Sequence, residues 1–508
     1  MRPVLTIAIL LLALAPPVRS FAAVPPDPAA IEAALQHGPP PLEGRALDRN
    51  QLTRIYQKRG FAPIWDEERA RSLRDALAAA PSQGIDDVAL DFDGTNPAER
   101  DVLLTGAFLD YAAALARGRV VPKLFERDWY LGTPDFDPDG LIDAMLSKGV
   151  APSLAALPPQ DPRYDALRAA LARYRGLAKT GWAELHPPAA LRQGDRGEAV
   201  RVLRERLAAE AYGTALPQGA DLEFFDADLA AAVSRFQSSH GLASDGVVGK
   251  ATLAALDVAA SARVRQIELN LERWRSLPRI TATTRIEVNA AAASAVLYEN
   301  GVPDKSMRVI VGTVTHPTPV FRATMTSVLI NPPWNVPSSI QRNEIMPKLK
   351  RDPGYLARGN YVFRDERLVQ LPGPKNALGQ LKFEMPNPLD VYMHDTPDRR
   401  LFARPQRTLS HGCVRVEDPR DLARRLIDSN AWPETAIDQA IASGETQRVP
   451  LKQAIPVYVL YWTAFADPDG MVEFRDDIYG RDQRLAAALA ALAAPPRLSA
   501  ASTSHGAC

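Results

Sequence analysis

Cysteine is almost absent, with two residues in 508. That excludes a disulfide-built fold and makes each thiol a residue to be explained singly. Net charge is absent as well. The 60 basic residues balance 60 acidic ones, so no overall field draws the chain to nucleic acid, and no nucleic-acid partner is expected. Beyond the N-terminus no apolar run is long enough to span a bilayer, so the mature protein is expected to be soluble. Charged content of 24% and hydrophobic content of 46% are ordinary for a globular chain. A length of 508 residues exceeds one core and predicts three or four domains.

Arg2, the apolar run Val4 to Ala15 and the small residues around Ser20-Phe21-Ala22-Ala23 read as an export signal over 1–23. The folded part is therefore expected in the periplasm, with an uncleaved inner-membrane anchor as the alternative. In an oxidising compartment two cysteines could pair. Cys508, however, ends an Ala/Ser/Thr-rich tail that reads as disordered, which leaves Cys413 free and reactive. Residues 24–47 are Pro-rich and read as an extended linker. From Asp48 to 185 apolar spacing predicts a mainly helical scaffold, with Leu52, Ile55 and Tyr56 on one face and windows at Ser72 to Ala80, Asp101 to Arg117 and Asp161 to Leu177. Nothing there concentrates His, Cys or paired carboxylates.

Residues 190–257 form a self-consistent block. Asp195-Arg196-Gly197-Glu198 reads as a capping box for a helix carrying Val200, Leu203 and Leu207. Asp226 is placed to cap a second helix with Leu229, Val233 and Phe236, and a third ends near Leu256. The block resembles the three-helix peptidoglycan-binding module of wall enzymes, through Gly194-Asp195-Arg196-Gly197, Ala232-Val233 with Phe236-Gln237, and Asp245-Gly246-Val247-Val248-Gly249-Lys250. A small helical spacer without ligand is the plainer alternative. Ala262 to Pro278 reads as a linker helix with Ile267, Leu271 and Trp274 on one face and Arg263, Arg265, Glu272 and Arg275 on the other.

From Arg279 to Asp482 the texture is β. Runs at Arg285 to Val288, Ala295 to Tyr298, Met307 to Val311, Thr326 to Asn331, Asp390 to His394 and Pro456 to Tyr461 predict a mostly antiparallel, β-sandwich-like or half-open barrel domain. The chain as a whole is thus expected to be multidomain α+β. Residues 339–385 interrupt this domain with a basic helix and a long irregular loop, Leu371 to Gly379. Loops of that length inside a domain are commonly lids or binding segments. Residues 483–508 read as an Ala-rich surface helix and a tail.

The chemistry concentrates at His394 and at Ser410-His411-Gly412-Cys413. A nucleophilic cysteine works as a thiolate, which a neighbouring imidazole or a helix N-terminus can favour. Asp418-Pro419 starts a helix a few residues on. Gly412 lets backbone approach a carbonyl, so amides at Gly412 and Cys413 are oxyanion-hole candidates. His394, at a strand end before Asp395-Thr396-Pro397, is the candidate general base and acid, and His411 the candidate loop support. Arg415 could grip a substrate carboxylate. A zinc site from His394, His411 and Cys413 lacks a fourth ligand and paired spacing.

These residues resemble the L,D-transpeptidase catalytic domain (YkuD-type), whose signature is His, a loop, then Ser/Thr-His-Gly-Cys. Asn331-Pro332-Pro333-Trp334-Asn335-Val336-Pro337, Gly373 to Gly379 with Lys382-Phe383, Tyr392 to Pro397 and Asp476 to Asp482 are similar to the larger Gram-negative periplasmic subgroup. The resemblance implies a Cys413 thioester with the third stem-peptide residue of a tetrapeptide donor, release of D-alanine, and transfer to the diamino-acid amine of a second stem as a 3→3 cross-link. It implies His394 for proton transfer with the Asp395 carbonyl orienting its ring, Trp334, Tyr392, Ser410 and Asp395 around the substrate, Ser410 and His411 also as support for the loop and oxyanion site, and Arg415 on a carboxylate. The interruption at 339–385 would be a capping loop, carbapenems would acylate Cys413, and neither metal nor cofactor is implied. Partners would be peptidoglycan stem peptides, the cell wall through 190–257 and other wall-synthesis proteins. Hydrolysis of the same thioester (an L,D-carboxypeptidase or a wall-lipoprotein amide hydrolase) and a non-catalytic wall-binding scaffold stay open as alternatives.

Overall fold

A computed structural model describes residues 25–38, 47–85, 95–187, 189–213, 221–467 and 470–493. The expected signal over 1–23, much of the Pro-rich stretch and the tail with Cys508 lie outside the described residues. No described helix is long and apolar enough to cross a membrane. The described residues fall into two compact units, one drawn from Met1–Arg74 and Ala89–Asp110, the other from Asp75–Val88 and Tyr111–Cys508. The helical stretch expected over 48–185 is thus shared between them.

The first unit is organised by a buried carboxylate. Asp101 accepts hydrogen bonds from the Tyr56 hydroxyl at 2.6 Å and from the amides of Ile64 and Trp65 at 3.1 and 3.0 Å. The Trp65 indole donates to Thr105 at 2.8 Å and its ring packs edge-on against Phe108. A helix also forms at Pro28–His37, where an extended linker was expected. Asp27 caps it, Pro28 occupies the first turn, and Ile31 and Leu35, four apart, bury one face.

In the second unit the three-helix block forms as Glu198–Ala209, Ala227–Ser239 and Lys250–Leu256 around Val200, Leu203, Leu207, Leu229, Val233 and Phe236. Asp226 caps the second helix as expected, donated to by the Leu229 amide at 2.8 Å. The capping box does not form. Gly197 is the cap residue and offers no side chain, while the Asp195 carboxylate accepts from the Arg192 amide instead.

The helix expected as a linker, Ala260–Ser276, is buried on nearly every side. Ile267, Leu271 and Trp274 meet Tyr164, Leu167, Leu171 and Tyr174 of helix Pro162–Thr180 in the main core. Except for the exposed Arg265, its polar face is buried too, with Arg263, Glu272, Arg273 and Arg275 set against polar partners. Arg275 donates to Glu272 at 2.7 Å and to the Gln83 carbonyl at 2.6 Å, and Arg273 pairs with Asp482 at 2.5 Å. The C-terminal helix, Arg481–Ala493, packs Leu485 and Leu489 against Leu269 rather than lying free on the surface.

Fourteen strands follow in the described residues: β1 (Arg285–Asn289), β2 (Ser294–Glu299), β3 (Val302–Gly312), β4 (Phe321–Ile330), β5 (Trp334–Asn335), β6 (Tyr361–Arg364), β7 (Arg367–Gln370), β8 (Leu381–Glu384), β9 (Met393–His394), β10 (Thr408–Ser410), β11 (Val414–Val416), β12 (Gln447–Leu460), β13 (Ala464–Ala466) and β14 (Val472–Phe474). Nine form one sheet in the order β10-β3-β11-β9-β8-β4-β12-β1-β2, and a β2–β3 pairing closes eight of them into a ring. That is the barrel alternative, fully closed. Pairing is mixed, since β1 with β12, β9 with β11 and β3 with β10 run parallel.

The interruption has its own architecture. β5, β7 and β6 make a three-stranded sheet, and helical segments over Ser338–Arg351 and Tyr355–Arg358 cover it. Val336, Ile345 and Leu368 form a small core with Trp334, Tyr355 and Tyr361 packed on it. The loop Leu371 to Gly379 is stitched down by two amides. Asn376 donates to the carbonyls of Pro332, Gln370 and Leu371, and Gln370 donates to those of Gly359 and Lys375.

Candidate active site

Strand alternation assembles the site. In the β9–β11 ladder Met393 lies beside Val414 and His394 beside Arg415. Met393 and Val414 point into the core. The opposite face therefore carries Tyr392, His394 and Arg415, and Cys413, one residue before Val414, falls on that same side. β8 continues the row, with Lys382 opposite His394. Across β8, β9 and β11 the order is Lys382, His394, Arg415.

Cys413 sits where the chain crosses the end of β3, between β10 on one side and β11 on the other. Gly412 takes φ +111° there, a conformation that favours glycine. Gly312, the last residue of β3, is needed for closeness, because a Cβ would lie 2.0 Å from the His316 carbonyl oxygen. Ser410 fastens the turn: its hydroxyl donates to the Cys413 carbonyl at 2.6 Å and accepts from the Gly412 amide at 3.1 Å. Thr318 donates to the Gly412 carbonyl at 2.9 Å, and Tyr479 and Arg481 brace Gly312 and Thr318 through their carbonyls at 2.7 and 3.0 Å.

Several expectations change. The Gly412 amide is committed to Ser410, so the backbone donor left at the turn is the Cys413 amide, which has no partner among the described residues. Ser410, expected at the substrate, is buried and its hydroxyl is engaged within the turn, so it holds the loop. The Asp395 carboxylate is likewise occupied, by the amides of Gln380 and Thr396 and by the Arg399 guanidinium, at 2.8, 2.7 and 2.9 Å. It is a buried staple between the strand end and its neighbours. Helix Pro419–Leu426 is not adjacent to the thiol, because β11 intervenes. Three extended residues span about 10 Å, beyond the reach of a helix terminus.

His394 is buried, and its Nδ1 lies 2.6 Å from the Asp395 carbonyl oxygen, which fixes the tautomer and leaves Nε2 for proton transfer. Burial, then the Arg415 guanidinium and Lys382, lower its pKa to about 3, against the pull of the Asp395 and Leu378 carbonyls. Leu378, from the stitched loop, thus offers an acceptor to the ring once it is protonated. Burial pushes the Cys413 thiol up, not down. The Tyr392 amide and hydroxyl, then Lys382 and Arg415, oppose that shift. Both shifts favour a neutral thiol and a neutral imidazole at rest over the preformed thiolate anticipated from the residue types. The thiol contacts the Asp390 carbonyl at 3.8 Å. Cys413 has no disulfide partner among the described residues.

Tyr392 links the parts. It neighbours both Cys413 and Trp334 of β5, and burial, then the Cys413 thiol, raises its pKa. Its ring lies 4.3 Å under the Lys382 ammonium and 5.6 Å from the His394 ring. His411 turns away from the thiol. Its Nε2 meets Glu344 of the helical interruption at 2.6 Å, and its ring lies 5.0 Å from that of His316. Among the described residues no three His, Cys, Asp or Glu side chains are grouped to hold a metal. Lys382 and Glu344 were missed from sequence. Alternation in Leu381-Lys382-Phe383-Glu384 was signal enough for Lys382, since it puts the lysine on the polar face next to the His394 strand.

Comparison with known proteins finds three family domains along the chain. The family described as "L,D-transpeptidase catalytic domain" matches residues 283–437, a "Scaffold domain" 50–171, and a "Putative peptidoglycan binding domain" 196–256. A Haemophilus influenzae protein named "Putative L,D-transpeptidase" is 34% identical over 242 residues, 44% of this chain and 49% of the relative. The match thus spans about half the length of that curated relative. Solved L,D-transpeptidases from Xylanimonas cellulosilytica and Stackebrandtia nassauensis each cover 54% of this chain, and 98% and 97% of their own. Identities are 16% and 15%, with TM-scores of 0.18 and 0.23.

Proposed function

We propose, from a chain that carries an L,D-transpeptidase catalytic domain, a scaffold domain and a peptidoglycan-binding domain, that it is a cysteine-dependent acyltransferase forming 3→3 cross-links between peptidoglycan stem peptides. The observation that carries this reading is the single sheet face holding Cys413, His394, Tyr392 and Arg415 beside a turn whose Cys413 amide is unengaged. Cys413 gives its proton to Nε2 of His394 as sulfur attacks the carbonyl of the third stem residue. The Cys413 amide faces the developing oxyanion. The C–N bond to the terminal D-alanine breaks, His394 returns the proton to the leaving amine, and a thioester remains. A side-chain amine of a second stem then attacks the thioester, loses a proton to His394, and frees the thiol.

A neutral pair suits this sequence. Charge separation arises only as substrate arrives, and the cations that hold His394 neutral also favour the thiolate. Export to the periplasm by residues 1–23 and wall docking by 190–257 belong to the same reading, as does acylation of Cys413 by carbapenems, whose strained amide meets the same thiol. The test is incubation with disaccharide-tetrapeptide. Cross-linked dimer and free D-alanine are expected from the native chain and neither from Cys413→Ala. Tripeptide alone would make the protein an L,D-carboxypeptidase, and equal activity in the variant would remove Cys413 as nucleophile.

A further inference from the structure

Among the described residues Lys382 and Arg415 are two cations without counter-ions. The Lys382 ammonium lies over the Tyr392 ring, and among the described residues neither it nor the Arg415 guanidinium has an ion pair. Arg415 makes no side-chain hydrogen bond there either, and its Nε is buried without an acceptor. The nearby carboxylates are engaged or set apart. Glu384, on the same face of β8 as Lys382, accepts from Ser327 and Arg448. Asp398 acts on Arg415 only at a distance. An unpaired, partly desolvated cation is costly to keep, and two of them flanking the candidate base are matched to an anionic ligand.

Their spacing narrows that ligand. Lys382 and Arg415 stand two strands apart with His394 between them, so their backbones are separated by about 10 Å. A single carboxylate is much narrower. Two carboxylates on either side of a scissile amide match better, and a tetrapeptide donor has one immediately beyond that amide, on the departing residue. We propose that Lys382 is a specificity-determining residue that holds the second carboxylate, at the end of the donor's diamino-acid side chain, while Arg415 holds that of the departing residue. The preferred donor is then a stem whose third residue is a diamino dicarboxylic acid with its side-chain carboxylate free, rather than amidated or replaced by a simple diamino acid. This rests on the transferase reading of the same face.

Two disaccharide-tetrapeptides differing only in a side-chain carboxylate or carboxamide test it on the full chain. In a Cys413→Ala background, calorimetry should show the acid binding roughly tenfold tighter than the amide, the scale of one charge-assisted hydrogen bond. Adding Lys382→Gln should erase the difference and Lys382→Arg should keep it, with thermal unfolding as the check on folding. Equal binding of acid and amide, or equal weakening of both by Lys382→Gln, would overturn the role of Lys382. Turnover by the native chain is measured in parallel. Tighter acid binding with no cleavage of either donor would sink the transferase reading and leave the Lys382 contact standing.

Discussion

Nε2 of His411 lies 2.6 Å from Oε1 of Glu344, so the turn that carries Cys413 is tied directly to the helical interruption over Ser338–Arg351. Both side chains are about two-fifths exposed, and such a pair contributes roughly 0–1 kcal/mol to stability. Its consequence is positional: the interruption is held against the thiol loop through this contact. Glu344→Ala should leave the thermal midpoint nearly unchanged, speed proteolytic cutting within 338–351, and raise KM for the donor more than it lowers kcat. Unchanged proteolysis would show that the contact does not hold the interruption in place.

The thiol gives a second prediction. Because burial raises the Cys413 pKa, iodoacetamide should label it slowly at neutral pH and faster as pH rises. The midpoint should lie above that of a free cysteine, about 8.5. Lys382→Gln removes a cation that favours the thiolate and should move the midpoint further up. A midpoint at or below the free-thiol value would point instead to a resting thiolate–imidazolium pair.

His394 makes a third, about stability. Its pKa is about 3 in the fold against 6.5 for an unperturbed ring. Above about pH 6.5 neither folded nor unfolded chain binds the proton. Between about 6.5 and 3 the unfolded chain binds it and the folded chain does not, so stability is lost as pH drops through that window, by at most about 1.4 kcal/mol per unit. Asn is short enough to keep a donor near the Asp395 carbonyl and does not titrate. Urea unfolding of His394→Asn should therefore show a shallower acid loss between about pH 6 and 4 than the native chain, by close to one proton. Equal slopes would mean that His394 protonates in the folded state.

Much of this was legible in the sequence, for reasons particular residues make plain. Alternation of two placed the strands, and apolar spacing of three and four placed the helices of residues 190–257. Ser410-His411-Gly412-Cys413 with an upstream His394 marked the site. What escaped was decided by partners far apart in the chain. The polar face of Ala260–Ser276 looked solvated until Gln83, Glu272 and Asp482 supplied partners for its arginines. The β6–β7 hairpin was hidden because its turn uses Asp365 and Glu366, both at positive φ without glycine. Asp395 and Gly412 carried plausible chemistry by type, and only the hydrogen bonds showed them occupied.

Ser410 allows that distinction between holding a loop and meeting substrate to be measured. Among the described residues its hydroxyl is the one side chain that bridges the two ends of the Gly412 turn, and it is buried. Ser410→Ala leaves the Gly412 amide and the Cys413 carbonyl short of a partner, at about 1–3 kcal/mol for a buried group left unsatisfied. A freed Gly412 amide would gain mobility and the Cys413 amide would lose its fixed direction, so the loss should fall on the transition state. Ser410→Ala should thus lower kcat by roughly tenfold or more, the scale seen when a preorganised donor is disturbed, with KM for the donor little changed. Ser410→Thr keeps the hydroxyl and should recover much of the rate if the extra methyl is accommodated beside Gly312. A Ser410→Ala variant whose defect lay in KM alone would return Ser410 to the substrate-binding role first expected of it.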